Sequence, residues 1–433
     1  MIDLDFRRAP EARSWRSDPC GVLYDLALRH PGAAATLKIG VEEILVLQDA
    51  EASRHVGYAR ADNYVKNFAG FRQFFGNSRL TKDGDDWRVS RGLSQPSIAG
   101  ADTQYVALTA ERIFGQTATS LLSASDEGTV QVDPFLDDAA GGVIAEVALG
   151  FEPHEVSPTL AGDFRLILQH ASLTTWNLTG AVQVHAPEVL SAALDAKRRL
   201  VAGIADVVAR RRSAGQMPQI LNALLGAADS SIDIFAEVCG LLFAGFDTSS
   251  AALGWSLWLL AGSEELQSGL RSEIDQCFEG GRADLARLLR LPTLNAFLNE
   301  SLRIFPPIPI LSRIAVSHDQ IGKVQVAAGQ KVLLSVIGLH HDRLHFAQPR
   351  NVSLERFPGG EIPATLRGHF LPFGAGKRAC PGSRIASTEL AIGLAQLIHS
   401  LTFYRPENEL LAFDWLASLR RKGGHRLEIA AAR

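Results

Sequence analysis

The sequence predicts a mainly helical chain with a small, separated β region, an α+β arrangement. Three observations predict it. Long apolar stretches carry helix punctuation, β-type patterning is confined to a few short segments, and no strand–helix alternation of the kind that builds a parallel sheet is present. The 433 residues are 46% hydrophobic and 21% charged, which suits a globular chain with a large core. Without repeats or low-complexity linkers, residues 1–433 read as a single domain with no fused reductase.

The elements follow in chain order. Residues 1–19 lack an apolar core, so they do not form a signal peptide. Segments 35–40 and 42–49 read as a hairpin. Asp229, Ser230 and Ser231 supply a helix N-cap, and the helix they open runs about 30 residues to Gly262, roughly 45 Å. It is the most apolar long stretch, yet Glu237 and Asp247 interrupt it. Either acid at a bilayer centre costs about 2.5–3.5 kcal/mol, so a buried core helix is the better reading. A helix over Leu294–Ile304 is stopped by Pro306 and Pro307. Residues 323–337 read as a second hairpin turning at Ala328 and Gly329, and a last helix follows Pro381.

Charge and cysteine content narrow the function. Lys and Arg total 43 against 47 Asp and Glu, a net charge of −4, which argues against a nucleic-acid surface spread over the molecule. Cys20, Cys239, Cys277 and Cys380 are far apart and form no CxxC pair, so neither a zinc ribbon nor a disulfide framework is indicated. A reducing, cytoplasmic compartment fits.

The strongest local signal is Phe373–Gly382, FGAGKRACPG. Glycines at 374 and 376 let the chain fold tightly against a flat object and present Cys380 at a helix N-terminus. The helix end and the cations Lys377 and Arg378 favour thiolate over thiol, giving either a nucleophile or a metal ligand. A buried inert cysteine is the plain alternative. A P-loop reading of the same stretch fails, because Gly376 and Lys377 lack the following Ser or Thr. Within the long helix, Ala244–Ser249 reads AGFDTS. Thr248 can bond back to the Ala244 carbonyl, and Gly245 permits the backbone to open there, an arrangement suited to proton delivery into an apolar cavity. Trp87 and Arg91, one helical turn apart, are pure donors able to clamp a carboxylate. Glu300 and Arg303 form an ordinary i,i+3 pair. His341 and His345 are the rival site, a zinc hydrolase if they shared a helix face; the strand pattern before them and Pro349 after them oppose it.

Together these segments resemble the cytochrome P-450 superfamily, the haem-thiolate monooxygenases of soluble bacterial type. Phe373, Gly376, Arg378, Cys380 and Gly382 match its Phe-x-x-Gly-x-Arg-x-Cys-x-Gly loop, and Ala386 fits the position it favours beyond. Glu300 and Arg303 match Glu-x-x-Arg, Ala244–Ser249 match Ala-Gly-x-Asp-Thr-Thr with Ser249 for the second Thr, and Trp87 and Arg91 match Trp-x-x-x-Arg. The resemblance implies a triangular fold with a long central helix over haem b. Cys380 would be the axial thiolate on iron, which favours O–O cleavage. Trp87, Arg91, Arg313 and Arg378 would hold the haem propionates, with Ala244, Phe373, Gly374 and Gly382 shaping the cofactor site. Asp247 and Thr248 would relay protons, and Glu300 and Arg303 would lock to Arg356.

By the same resemblance the activity is insertion of one oxygen atom from O2 into a lipophilic small molecule. Electrons would come indirectly from NAD(P)H through a ferredoxin or flavodoxin and its reductase, docked by basic residues around the thiolate loop such as Lys377, Arg378 and Arg384. A cytoplasmic monomer with no membrane anchor and no nucleic-acid partner is expected. The alternative is a non-monooxygenase haem protein, peroxide-dependent, isomerase-like or merely ligand-binding. Stretches Phe68–Phe75, Leu166–Val182, Leu242–Ala244 and Ile308–Leu311 are expected pocket walls, with Phe71, Phe74, Phe75 and Trp176 making the lining apolar; core packing explains these aromatics equally well.

Overall fold

Apolar strands with alternating exposure draw residues from distant parts of the chain into one sheet. In the computed structural model, which describes all residues except 6–17, 40–41, 126–127, 158, 176–186, 216–217, 227–231, 281, 407–410, 416 and 433, six strands form it. They are β1 (Ile2–Asp5), β2 (Ala35–Ile39), β3 (Glu42–Leu47), β4 (Tyr64–Lys66), β5 (Ile310–Ala315) and β6 (Lys331–Ser335), in the order β1-β2-β3-β6-β5-β4. Strands β2 and β3 form the expected antiparallel hairpin.

The second expected hairpin is not formed. Val324–Val326 pairs backwards with Asp319–Ile321, while β6 pairs with β5 and, in parallel, with β3. Val332, Leu333 and Leu334 are more deeply buried in the sheet centre than a two-stranded ribbon allows, so tertiary pairing decides the register.

The helical body holds α1 (Gly84–Ala99), α2 (Thr103–Ala124), α3 (Asp133–Ile144), α4 (Leu160–Thr175), α5 (Ile234–Leu260), α6 (Pro292–Ile304) and α7 (Ser383–Ser400). Helix α5 is capped by the Asp233 side chain on the Ala236 N–H at 3.0 Å, not by the segment 229–231, which lies outside the described residues. It packs along α3 and α7, and α7 packs along α2. Among the described residues α5 is the one helix long and apolar enough to cross a bilayer, and most of it is buried inside the protein. Its interrupting acids are engaged: Glu237 Oε1 accepts the Arg79 N–H at 2.7 Å, and Asp247 meets Arg420.

Gly245 does not open this helix, which runs unbroken through it. A Cβ there would lie 2.5 Å from Ile144 Cγ1, so the glycine serves close packing of α5 on α3.

Candidate functional site

The loop before α7 is tied by its own backbone. The Cys380 N–H donates to the Phe373 carbonyl at 2.8 Å and the Gly374 N–H to the Leu371 carbonyl at 3.0 Å. Gly374 and Gly376 have φ of 69° and 70°, left-handed values costly for other residues. A Cβ on Gly376 would also meet the Gly57 carbonyl oxygen at 1.9 Å. The Leu371 N–H donates to His340 Nε2 at 2.8 Å, and the His340 carbonyl accepts from Arg303 Nη1 at 2.9 Å. Burial, then the Arg303 charge, pushes the His340 pKa down to about 3, so the ring stays a neutral acceptor.

Cys380 is the accessible cysteine; Cys20, Cys239 and Cys277 are buried. Its accessibility coexists with dense protein surroundings, since desolvation raises its thiol pKa against the Gly382 backbone and the charges of Arg79 and Arg91. The reading that Lys377 and Arg378 bias the thiol is corrected: Lys377 turns outward to Asp62 at 2.8 Å, and Arg378 turns inward to Asp83. Distance and desolvation outweigh sequence adjacency.

That inward turn builds a cationic cradle. Arg91 and Arg378 lie over the Trp87 ring at 5.3 and 4.6 Å. Lys66 in β4 is register partner to Arg313 in β5. Lys66 Nζ donates to the carbonyls of Arg79 and Leu80 at 2.7 and 2.8 Å. Burial, then Arg378, lowers the Lys66 pKa to about 7, and the same two causes lower Arg313 to about 10. Three cations, Lys66, Arg313 and Arg378, thus gather around Asp83, with Arg91 beside Arg378 on the Trp87 ring, and the buried Arg378 Nη1 has no hydrogen-bond partner. An excess of buried positive charge with an orphaned donor fits a group bearing two carboxylates. Haem is such a group, and the residues present suit it. Arg313, Arg378, Leu371 and Ala375 line a small, partly open pocket there.

On α5, Thr248 Oγ1 donates to the Ala244 carbonyl at 2.7 Å, as the spacing predicts. Ala244 is exposed between the buried Phe243 and Phe246, and Thr248 is partly exposed on the same face, one turn on. Phe71, Phe74 and Phe75 are at most 3% exposed. Phe71 and Phe75 pack ring on ring with Phe243 at 5.8 and 4.9 Å, which is core packing and not an open lining. Trp176 and Val182 lie outside the described residues.

Two buried acids flank this region. Ser249 Oγ donates at 2.7 Å to Glu389 of α7, whose burial pushes its pKa up to about 8. Glu300 and Arg303 are fully buried and joined by two hydrogen bonds of 2.7 and 2.8 Å, and Arg356 also donates to Glu300. His341 is buried on the Ile337 carbonyl, His345 stacks on His369, and no group of three or more His, Cys, Asp or Glu among the described residues is placed to hold a metal.

The structure therefore gathers Trp87, Arg91, Arg313 and Arg378 into one cluster near the Cys380 loop, and sets Ala244, Asp247 and Thr248 on one stretch of α5. Sequence reasoning missed Lys66, Arg79, Glu389 and Arg420. Glu389 carried a signal, an acid on the apolar face of a predicted helix nine residues after Cys380. Lys66 and Arg420 carried none, since each reads as ordinary surface charge.

The cytochrome P450 family model matches residues 16–425. Protein LUTEIN DEFICIENT 5, chloroplastic, of Arabidopsis thaliana is 25% identical over 93% of this chain and 73% of its own length. Cyclooctat-9-en-7-ol 5-monooxygenase of Streptomyces melanosporofaciens is 25% identical over 75% of this chain and 72% of its own. The crystal structure of the cytochrome P450DA heme domain superposes with a TM-score of 0.83 at 19% identity, covering 100% of this chain and 98% of that one.

Proposed function

The chain belongs to the cytochrome P450 family, as a haem-thiolate monooxygenase that uses haem b, and from that premise we propose which residues perform the reaction and on what. Cys380 would ligate the haem iron through its thiolate; the observation that supports it is an exposed cysteine beside a buried cationic cradle with an orphaned Arg378 donor. Lys66, Trp87, Arg91, Arg313 and Arg378 hold the haem carboxylates, and Phe373, Gly374 and Gly382 shape the loop. Haem bound through a thiolate supplies dioxygen activation, the thiolate's electron donation favouring O–O cleavage.

Asp247 and Thr248 move protons. The Thr248 hydroxyl, held on the Ala244 carbonyl, is the last group on the protein side, and Asp247 restores its proton. The accessible Ala244 between two buried phenylalanines gives the substrate an apolar approach, which suits a lipophilic molecule. A hydrocarbon-rich alcohol of the kind named for the Streptomyces relative is the first class to test. Electrons come from a separate ferredoxin- or flavodoxin-type protein supplied by NAD(P)H. The exposed Lys377 and Arg384 remain available to meet it, and the inward Arg378 is not. A reducing, cytoplasmic setting suits four free cysteines.

The test is the absorption spectrum of the dithionite-reduced, carbon-monoxide-bound protein, followed by product analysis under labelled O2. A strongly red-shifted Soret band that Cys380→Ser abolishes, with one labelled oxygen atom in the product, is the expected result. A variant that keeps the band overturns the ligand assignment.

A further inference from the structure

The cysteine loop is braced by the segment that leads into β4. The π-helical turn His55–Ala59 sets the Gly57 carbonyl against Gly376, and Asp62 accepts from Lys377 Nζ at 2.8 Å. The same segment then enters β4, where Tyr64 precedes the cradle cation Lys66 by two residues. Residues 55–66 thus touch the cysteine loop and also supply part of the cationic cradle. Val56, Gly57 and Tyr64 form the far wall of the small pocket that Ala375 and Arg378 line. Packing across that pocket is incomplete, so the segment has to be fixed from behind.

One carboxylate does this. Asp319 opens the short strand Asp319–Ile321 that follows β5, and its side chain is nearly buried. Its Oδ2 accepts from His55 Nε2 at 2.9 Å and from the Tyr64 hydroxyl at 3.0 Å. Asn63 Nδ2 and Arg60 Nε lie 3.5 and 3.6 Å from the same oxygen. Oδ1 takes the Gln320 N–H at 2.8 Å, which holds the carboxylate on its own hairpin. Burial alone would raise the Asp319 pKa, but His55, the Gln320 N–H and Tyr64 hold it down to about 2. Burial and then Asp319 push the Tyr64 phenol up. The carboxylate therefore stays an acceptor and the phenol a donor across the physiological range.

We infer that Asp319 is a positioning residue of the cysteine loop: by clasping His55 and Tyr64 it holds residues 55–66 where Gly57 abuts Gly376, and so sets where Cys380 stands relative to the cationic cradle. The inference rests on the reading of Cys380 as the iron ligand. Asp319 acts through the π-helical turn and through β4. A rigid planar group held by a thiolate and, at its carboxylates, by fixed cations tolerates about 0.5 Å of error between the two, so the element that spaces them governs how firmly the thiolate is kept. Hydrogen bonds to an ionised carboxylate are about twice as strong as neutral ones, which suits a clasp.

The experiment compares Asp319→Asn, Tyr64→Phe, the double variant and Arg199→Met with the parent, all haem-loaded. Arg199→Met strands the buried Asp163 of α4 and is the control for lost stability alone. The first readout is the denaturant midpoint by circular dichroism. The second is taken on the reduced, carbon-monoxide-bound protein, each variant at the same fraction of its own midpoint. It is the rate at which the red-shifted thiolate band converts to the shorter-wavelength band of protein that has lost the thiolate. Asp319→Asn is expected to speed that conversion about tenfold or more, and Tyr64→Phe by a smaller factor. The double variant falls short of the product of the two, because they share one hydrogen bond. Tyr64→Phe serves alone if the Asn variant does not fold. If the clasp variants convert no faster than Arg199→Met, Asp319 is merely structural and the inference falls. If the parent shows no thiolate band, the ligand reading itself falls, and the inference with it.

Discussion

Replacing Lys66 with Met removes a charge that the folded chain holds against its environment. Burial and then Arg378 push that ammonium down to about 7 from the ordinary 10.5. It is about half protonated at pH 7 and about one-tenth protonated at pH 8. Two carboxylates placed beside Lys66, Arg313 and Arg378 reverse the charge it feels and return its pKa toward the ordinary value. Lys66 therefore takes up about 0.5 proton at pH 7 and about 0.9 at pH 8 on cofactor binding, set against the one proton that the Cys380 thiol gives up on becoming a ligand. Calorimetric titration of haemin into cofactor-free protein, in two buffers of different ionisation enthalpy, counts the net exchange. In Lys66→Met the net proton release at pH 8 rises by about 0.9 while haemin still binds through the arginines. A net proton exchange in the parent that is the same at pH 7 and pH 8, or a variant that matches the parent, refutes the reasoning. The same shift sets a stability slope. A cation with a lowered folded pKa makes the folded chain bind fewer protons than the unfolded one between about pH 7 and 10.5, so cofactor-free protein gains stability as pH rises through that window. Lys66→Met loses that slope.

Arg303→Met strands the fully buried Glu300 carboxylate beside Arg356 alone and costs about 3–5 kcal/mol, read as a lower denaturant midpoint; a change under about 1 kcal/mol contradicts the buried lock. Gly245→Val forces a side chain into Ile144 and costs about 1–3 kcal/mol by the same measurement. Thr248→Ala removes the hydroxyl held on Ala244 and raises peroxide released per NAD(P)H consumed; unchanged coupling ends its role in proton transfer. Glu389 is the opposite case to Lys66. Its folded pKa is raised from 4.5 to about 8, so its neutral form stabilises the fold at low pH and that contribution fades as pH rises through about 8. Glu389→Gln flattens melting temperature against pH over that window and melts higher than the parent at pH 8.5.

What the sequence revealed was local. A Cys loop with two glycines, an i,i+4 Thr–carbonyl bond and a Trp–Arg turn each lie within ten residues, and spacing alone predicts their geometry. The cradle is non-local: Lys66 reaches Arg313 only because β4 and β5 are neighbours, a pairing across 247 residues that no short pattern encodes. Arg420 sits in a run, RRKGGHR, that reads as solvated charge until the hairpin of Phe413–Trp415 and Leu419–Arg421 is laid over α5. The failed second hairpin has the same origin, since its strand β6 found better-buried partners in β3 and β5. Gly245 misled in a different way, because a glycine in a helix signals either a loosened turn or a close neighbour, and only the position of Ile144 separates them.

The attachment of the cysteine loop to His340 has one more consequence. An imidazole that accepts a proton at ordinary acidity would swap from acceptor to donor and push the Leu371 N–H away, unfastening the loop that presents Cys380. Buried against Arg303, this ring resists protonation down to about pH 3. Mildly acidic media thus leave the thiolate loop fastened, and an activity lost between pH 4 and 6 is to be sought among the carboxylates instead.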